Sequence, residues 1–286
     1  MSHSFDISPA RYRLKKLARR AAVAMGSVIR AVDAADSDCI RVLTYHRFEG
    51  SPLDPCSIDL DAFSGQLRWL RTHCQLSTPT SFQHDMLHGA PQSQPRALIT
   101  VDDGHISVAR HALSALSEFE VKAVIFVCPG LVEAQVQQAG SRSREFMNWD
   151  ELASLHEAGH EIAPHGYTHR SLGRMPLQDA VEEVDRSTAL LQSRLGLRSR
   201  FWSLPFGTRA DYSQALLSQL RRSGYRFCFS SMHGVCKPGV DCLAYPRLKI
   251  EGGPEADLFP AIVRGCLDHW RWVDTYLYAL QSRNRL

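Results

Sequence analysis

Two carboxylates stand side by side in TVDDGH (100–105): Asp102 and Asp103, directly after the apolar run Ala97-Leu98-Ile99. Like charges this close raise each other's pKa, and burying them costs several kcal/mol. The pair makes sense beside a cation. PHGYTH holds His165 and His169 at i, i+4, a spacing that lets two imidazoles reach one metal from a helical turn or a tight loop. Among 13 histidines such a pair also fits chance, and it gains weight from the Asp pair. Two His and one carboxylate leave coordination positions open, the pattern of a hydrolytic metal centre. One Asp can then bind the cation while the other stands beside it as a base, the cation's charge offsetting their repulsion.

The surrounding pattern must position these groups. CIRVLTYH (39–46), ALITVDD (97–103), KAVIFVCPG, HEIAPHGYTH, FWSLPFG, YRFCFSS and CLAYPRLKI read as strands. Between them, LDAFSGQLRWLRTH, ISVARHALSALSEF, NWDELASLHEAG, PLQDAVEEVDRSTALLQSRLG and DYSQALLSQLRRSG carry helical spacing. Asn148 is the expected N-cap of one helix, and Gly159 and Gly196 are expected stops. Residues 131–147 read as a polar excursion. Alternating strands and helices imply an α/β protein with parallel strands and crossover helices, and seven or so such units suggest a barrel-like sheet. Chemistry then belongs at the C-terminal strand ends: Tyr45-His46, Asp102-Asp103, His165 to His169, and Pro205-Phe206-Gly207.

At 286 residues, 44% hydrophobic and 22% charged, the chain is globular and long enough to bury a core without staples. A net charge of +3 is too slight to argue for nucleic acid, and no nucleic-acid partner is expected. Eight cysteines are scattered without a C-x-x-C, so neither a zinc knuckle nor a thioredoxin motif is present. Buried free thiols in a reducing compartment are expected. The start, RYRLKKLARRAAVAMGSVIRAV, is basic like a signal peptide, but its apolar stretch Ala21 to Ile29 is short and closed by Arg30. Leu14, Leu17, Ala18, Ala21, Met25 and Val28 fall on one helical face. Such a helix either packs on its own domain or lies on an anionic membrane surface. The division expected is a basic amphipathic extension, 1–36, and one catalytic domain, 37–286. The expected location is cytoplasmic, peripheral to the inner membrane.

Together these motifs resemble the NodB-type polysaccharide deacetylases, carbohydrate esterase family 4. TVDDG is similar to the family's T-F-D-D-G with Val101 for Phe, HGYTH to its H-[ST]-x-x-H or H-G-x-x-H, and FWSLPFG to its third motif, over roughly residues 39–250. The resemblance implies a distorted (β/α)7-type barrel and an enzyme that hydrolyses linear amides. Its substrate would be an N-acetylated amino sugar, such as N-acetylglucosamine, in a polysaccharide or a lipid- or nucleotide-linked precursor. It implies a divalent cation, commonly zinc, with cobalt, nickel or manganese as other candidates, held by Asp103, His165 and His169. It makes Asp102 the general base and puts an oxyanion-binding backbone N–H near Phe206, beside Pro205; Trp202, the tryptophan nearest these motifs, either stacks on a sugar ring or belongs to the core.

Two positions depart from the pattern. The third motif often carries an Arg that orients the base; here Ser203 stands there, and Arg247 of YPRLKI is the expected replacement, a surface Arg being the alternative. The usual late His acid is missing. LTYHRF resembles the early Y-H-R of the branch acting on poly-N-acetylglucosamine, which points to His46 as the acid, needing a pKa near neutrality; a core His46, with His269 as acid, is the alternative. His105 reads as a loop residue. The rival readings are the same metal chemistry on a non-sugar amide, and a silent carbohydrate-binding relative.

Overall fold

The computed structural model describes residues 8–32, 39–51, 54–89, 94–137, 144–253 and 256–277. Residues 1–7 and 33–36 of the expected extension, and 138–143 of the expected polar excursion, lie outside them.

Strands β1 (Ile40–Tyr45), β2 (Gln75–Leu76), β3 (Arg96–Val101), β4 (Val124–Val127), β5 (Glu161–Pro164), β6 (Phe201–Ser203), β7 (Phe227–Phe229) and β8 (Leu248–Lys249) pair only in parallel. The main sheet runs β5-β4-β3-β1-β8, with β2 beside the start of β3, and β6 pairs β7. β6 also lies against β5, and Phe229 of β7 bridges to Tyr245, just ahead of β8. Seven strands thus surround one interior, in an irregular barrel of the type expected. β1 and β3 are buried along their whole lengths, which is why they read as nearly unbroken apolar runs.

The helices are α1 (Pro9–Val32), α2 (Leu60–His73), α3 (Pro79–His88), α4 (Leu113–Glu118), α5 (Pro129–Gln137), α6 (Trp149–Glu157), α7 (Leu177–Leu195), α8 (Gln214–Arg222), α9 (Phe259–Val263) and α10 (Arg271–Tyr276). A π-helical turn, Val108–Ala112, leads into α4. Asn148 caps α6 in a box with Glu151, and Gly196 ends α7 in the left-handed conformation. One expectation is corrected. β4 ends just ahead of Pro129, and Pro129 then opens α5, because a proline lacks only an N–H that the first helical turn leaves unpaired anyway. The polar excursion therefore begins with a helix. α3 had no counterpart in the sequence reading; a Thr78–Ser81 capping box starts it, and Phe82 and Met86 bury its inner face.

Pleat alternation sorts the side chains. Val42, Leu98, Phe126, Ala163, Phe201 and Phe229 fill the interior, while Leu43, Ile99, Ile125 and Ile162 face the surrounding helices. None of the described helices is long and apolar enough to cross a membrane.

Candidate active site

The site follows from the inward-facing register at or just past the C-terminal end of each strand. Two residues beyond Thr44 is His46; beyond Thr100, Asp102; beyond Ala163, His165; beyond Phe201, Ser203. All these side chains reach the C-terminal end of the barrel, where backbone pairing stops and polar groups can converge.

Asp102 is buried, 2% exposed, and is gripped by Arg247. Arg247 Nη1 donates to Asp102 Oδ1 at 2.8 Å and Nη2 to Oδ2 at 2.7 Å. Arg247 is itself 1% exposed; its Nε donates to the Ser230 carbonyl at 2.9 Å, its Nη2 to Ser203 Oγ at 2.9 Å, and its Nη1 to Thr100 Oγ1 at 3.3 Å. Ser203 Oγ donates to Asp102 Oδ2 at 3.2 Å. A small residue at 203 therefore leaves the space that the Arg247 guanidinium fills from another strand. Burial alone would raise the Asp102 pKa; Arg247 and then His165 outweigh it and hold the group below the usual carboxylate range.

Asp103, His165 and His169 present one ligand atom each, all within 4.8 Å of one another. Asp103 Oδ1 lies 3.4 Å from His165 Nε2 and 3.3 Å from His169 Nε2. Ligand atoms about 2.0–2.1 Å from a tetrahedral ion stand about 3.3–3.4 Å apart, so both carboxylate–imidazole separations have the size of a coordination edge. Asp103 Oδ1 is buried without a hydrogen-bond partner, which suits an oxygen reserved for a cation. His165 Nδ1 donates to the Ser203 carbonyl at 3.0 Å, fixing the tautomer that leaves Nε2 as a lone-pair donor. The residues fit a divalent metal. Against the cost of burial, the His169 and His165 rings hold Asp103 well below its usual pKa.

The backbone is strained here. Asp103 (φ 73°), His169 (φ 59°) and Phe206 (φ 61°) are three of the four described non-glycine residues with positive φ. Each costs on the order of 1 kcal/mol, and loop contacts hold them in place. Glu183 of α7 accepts from the Tyr167 and Thr168 amides, each at 3.0 Å, and from Thr168 Oγ1 at 2.7 Å. Sequence reasoning missed Glu183, which acts on the backbone of a loop that it follows by some fifteen residues. Gly166 has φ +73° and a Cβ there would stand 2.9 Å from Pro205 Cγ. Gly166→Ala is therefore expected to destabilise the fold by about 1–3 kcal/mol and to weaken metal binding, as it disturbs the loop that carries both His165 and His169. Melting and metal titration check this; no change in either would contradict the close packing of the two loops.

The other expected residues are distributed as follows. His46 is enclosed, and burial pushes its pKa down to about 4 although Asp103 and Asp102 pull it up. The near-neutral value expected of an acid is thus not found. Its Nδ1 is buried without a partner. Phe206 lines the cleft, its ring 4.7 Å from that of His169, and Pro205 sits under Gly166. Trp202 does not face substrate. Pleat alternation turns it away from Ser203 into a cluster with Leu204, Leu216 and Tyr225, and it is 0% exposed. His269 lies far off: its neighbour Asp268 pairs at 2.7 Å with Arg41, at the opposite end of β1 from His46. His105 lines the cleft and its Nδ1 bonds Ser107 Oγ at 2.8 Å. Arg47, Leu131, Glu145 and Phe146 complete the cleft and were not anticipated, although Arg47 is the third residue of Y-H-R. All eight cysteines are free. Cys128 lines the cleft, but burial holds its thiol well above the usual pKa and it donates to the His165 carbonyl at 3.1 Å, so it is no nucleophile.

The family model for polysaccharide deacetylase matches residues 89–228. His46 and Arg247 lie outside that match, so their placement rests on geometry. IcaB from Ammonifex degensii is 26% identical, with a TM-score of 0.64 over 80% of this chain and 97% of its own. The Streptococcus pyogenes deacetylase PplD is 20% identical, with a TM-score of 0.65 over 77% of this chain and 96% of its own. A de-N-acetylase from Aggregatibacter actinomycetemcomitans is 17% identical, with a TM-score of 0.64 over 78% and 100%. The last two attest the fold alone. No curated protein matches the chain. The matched motifs and the barrel that carries them make the chain a hydrolytic deacetylase, similar over residues 89–228 to the polysaccharide deacetylase family.

Proposed function

We propose that the chain hydrolyses the N-acetyl amide of an amino sugar, in a polymer or a carrier-linked precursor, with a divalent cation held by Asp103, His165 and His169. The observation that carries this is the ligand triangle set directly beside a buried, arginine-clamped carboxylate. A cation bound there would polarise the amide carbonyl and acidify a water, and two imidazoles with one carboxylate suit zinc.

The chain's own groups would do the rest. Asp102, ionised and oriented by Arg247, accepts a proton from the attacking water. The backbone N–H of Phe206, on its strained turn beside His169, is the proposed donor to the oxyanion. His46 is uncharged at neutral pH because it is buried, so it cannot start the cycle as an acid. The proton that Asp102 removes is the one available to charge it, and His46 then passes that proton to the leaving nitrogen. The intact Asp102–Arg247 pair speaks against a silent relative, because an unused buried charge pair is costly to keep.

The test is acetate release from N-acetylglucosamine oligomers compared with simple acetamides. The oligomer is expected to be faster by about tenfold or more, since contacts remote from the amide lower the barrier. Equal rates would favour the non-sugar reading, and no release from either would favour the silent one.

A further inference from the structure

Helix α1 is docked by its cationic face and shows its apolar face to solvent. Lys15 and Lys16 reach Glu251 at 2.8 and 3.2 Å, Lys16 also donates to the Gly252 carbonyl at 2.9 Å, and Arg19 donates to the Lys249 carbonyl at 2.7 Å. Tyr12, Ala22 and Val23 are buried in the same seam. At Gly26 the helix comes so close that a Cβ would run into the Cys266 carbonyl. The opposite face carries Leu14, Leu17, Met25 and Val28, exposed by 68%, 64%, 55% and 70%, with Ala18, Ala21 and Ala24 exposed between them. From Leu14 to Val28 this stripe runs about 21 Å along the helix. An amphipathic helix normally buries such a stripe.

We propose that the stripe of α1 is a membrane-binding surface, on which the helix lies flat against an anionic lipid bilayer while its other face stays docked to the barrel. Charge selects the occupant. α1 has no acidic residue. Exposed Arg13 and Arg20 flank the stripe on one side, and Lys15 flanks it on the other. Lys15, Lys16 and Arg19 share Glu251, Arg20 pairs with Asp257, and exposed Arg13 adds a fifth cation, leaving the helix region positive. Apolar residues in the middle with cations on both edges match an acyl layer beneath anionic headgroups. A second copy of the chain fits poorly, since stripe against stripe sets these basic edges against each other. One element that α1 packs on, Asp268–Trp270, leads straight into α10, where Trp272 and Tyr276 are 61% and 67% exposed, their rings tilted against each other with centroids 5.5 Å apart. Exposed Trp and Tyr are favoured at the headgroup level of a bilayer.

The experiment is co-sedimentation of the full chain with vesicles of phosphatidylcholine alone or mixed with phosphatidylglycerol, and light scattering without lipid. The wild type is expected to bind the mixed vesicles, to ignore pure phosphatidylcholine, and to weaken as salt rises. Leu17→Glu with Val28→Glu should weaken binding by about tenfold or more, and the milder Leu17→Ser with Val28→Ser should do so partially. Both pairs should leave the melting temperature and acetate release from a soluble oligomer unchanged, since these side chains are largely exposed and lie on the face of α1 turned away from the barrel. Absence of binding to the mixed vesicles overturns the proposal, as does binding that survives both pairs of substitutions. A wild-type dimer that the glutamates dissociate also overturns it, making the stripe a subunit interface.

Discussion

Replacing Asp102 with Asn is expected to lower kcat for acetate release by about 10²–10⁴-fold, the usual worth of a general base, while metal content stays at the wild-type level. His165→Ala should instead lose the metal. The separation follows from position. Asp102 spends its oxygens on Arg247 and Ser203, whereas Asp103 Oδ1 is buried without a hydrogen bond and faces both imidazoles. Asn is nearly the same size, so packing survives, but it leaves the enclosed Arg247 cation without its counter-charge. A fall in stability of up to about 3–5 kcal/mol is therefore expected as well, and rates must be compared at a temperature where melting shows both proteins folded. Turnover and metal analysis on the same samples decide the matter. If Asp102→Asn comes out empty of metal and Asp103→Asn fully loaded, the two roles are reversed.

Arg247→Lys should cost more than a swap of like charges suggests: about 10–100-fold in kcat/KM, from lost orientation of the base. One ammonium cannot reproduce the two parallel bonds to Asp102 together with those to Ser203, Thr100 and the Ser230 carbonyl. Arg247→Ala goes further and changes the pH dependence. In the wild type, burial raises the Asp102 pKa, and Arg247 together with His165 more than reverses it, so the folded value lies below the unfolded one. Stability from this group is then present above the unfolded value, about 3.9, and is lost as pH falls through the folded value. Without Arg247 the largest effect opposing burial is gone, so the folded pKa rises and the stability that this group loses on acidification shrinks. Activity follows the ionised base, so the acid limb of kcat/KM must shift to higher pH. A pH profile for Arg247→Ala that overlays the wild type would show that Arg247 does not set the state of Asp102.

The sequence showed the ends of the strands better than the closure of the barrel. Asp102, Asp103, His165 and His169 were legible because a metal site needs those residue types at short spacings. The bounds of α2 followed from Leu60, Phe63, Leu67 and Leu70, and the start of α6 from the side chain of Asn148. Glu183 left no signal, since a carboxylate that holds a loop by its amides obeys no motif. For Trp202 the sequence itself contains the answer: if Ser203 points inward, its neighbour on the strand must point away. Helical periodicity found the apolar stripe of α1, but periodicity says which face is apolar, not which one the fold covers. That was decided by Glu251, a carboxylate far along the chain that draws Lys15, Lys16 and Arg19 inward.

The most direct test of the central claim is acetate release by protein stripped with a chelator and then titrated with zinc. Release from an N-acetylglucosamine oligomer is expected to fall to about a hundredth or less, since a cation held by Asp103, His165 and His169 would polarise the amide and the attacking water, and to return at one zinc per chain. His165→Ala and His169→Ala should bind no such equivalent. Undiminished release from protein shown to be free of metal would contradict the assignment of Asp103, His165 and His169 as the ligands of a catalytic cation.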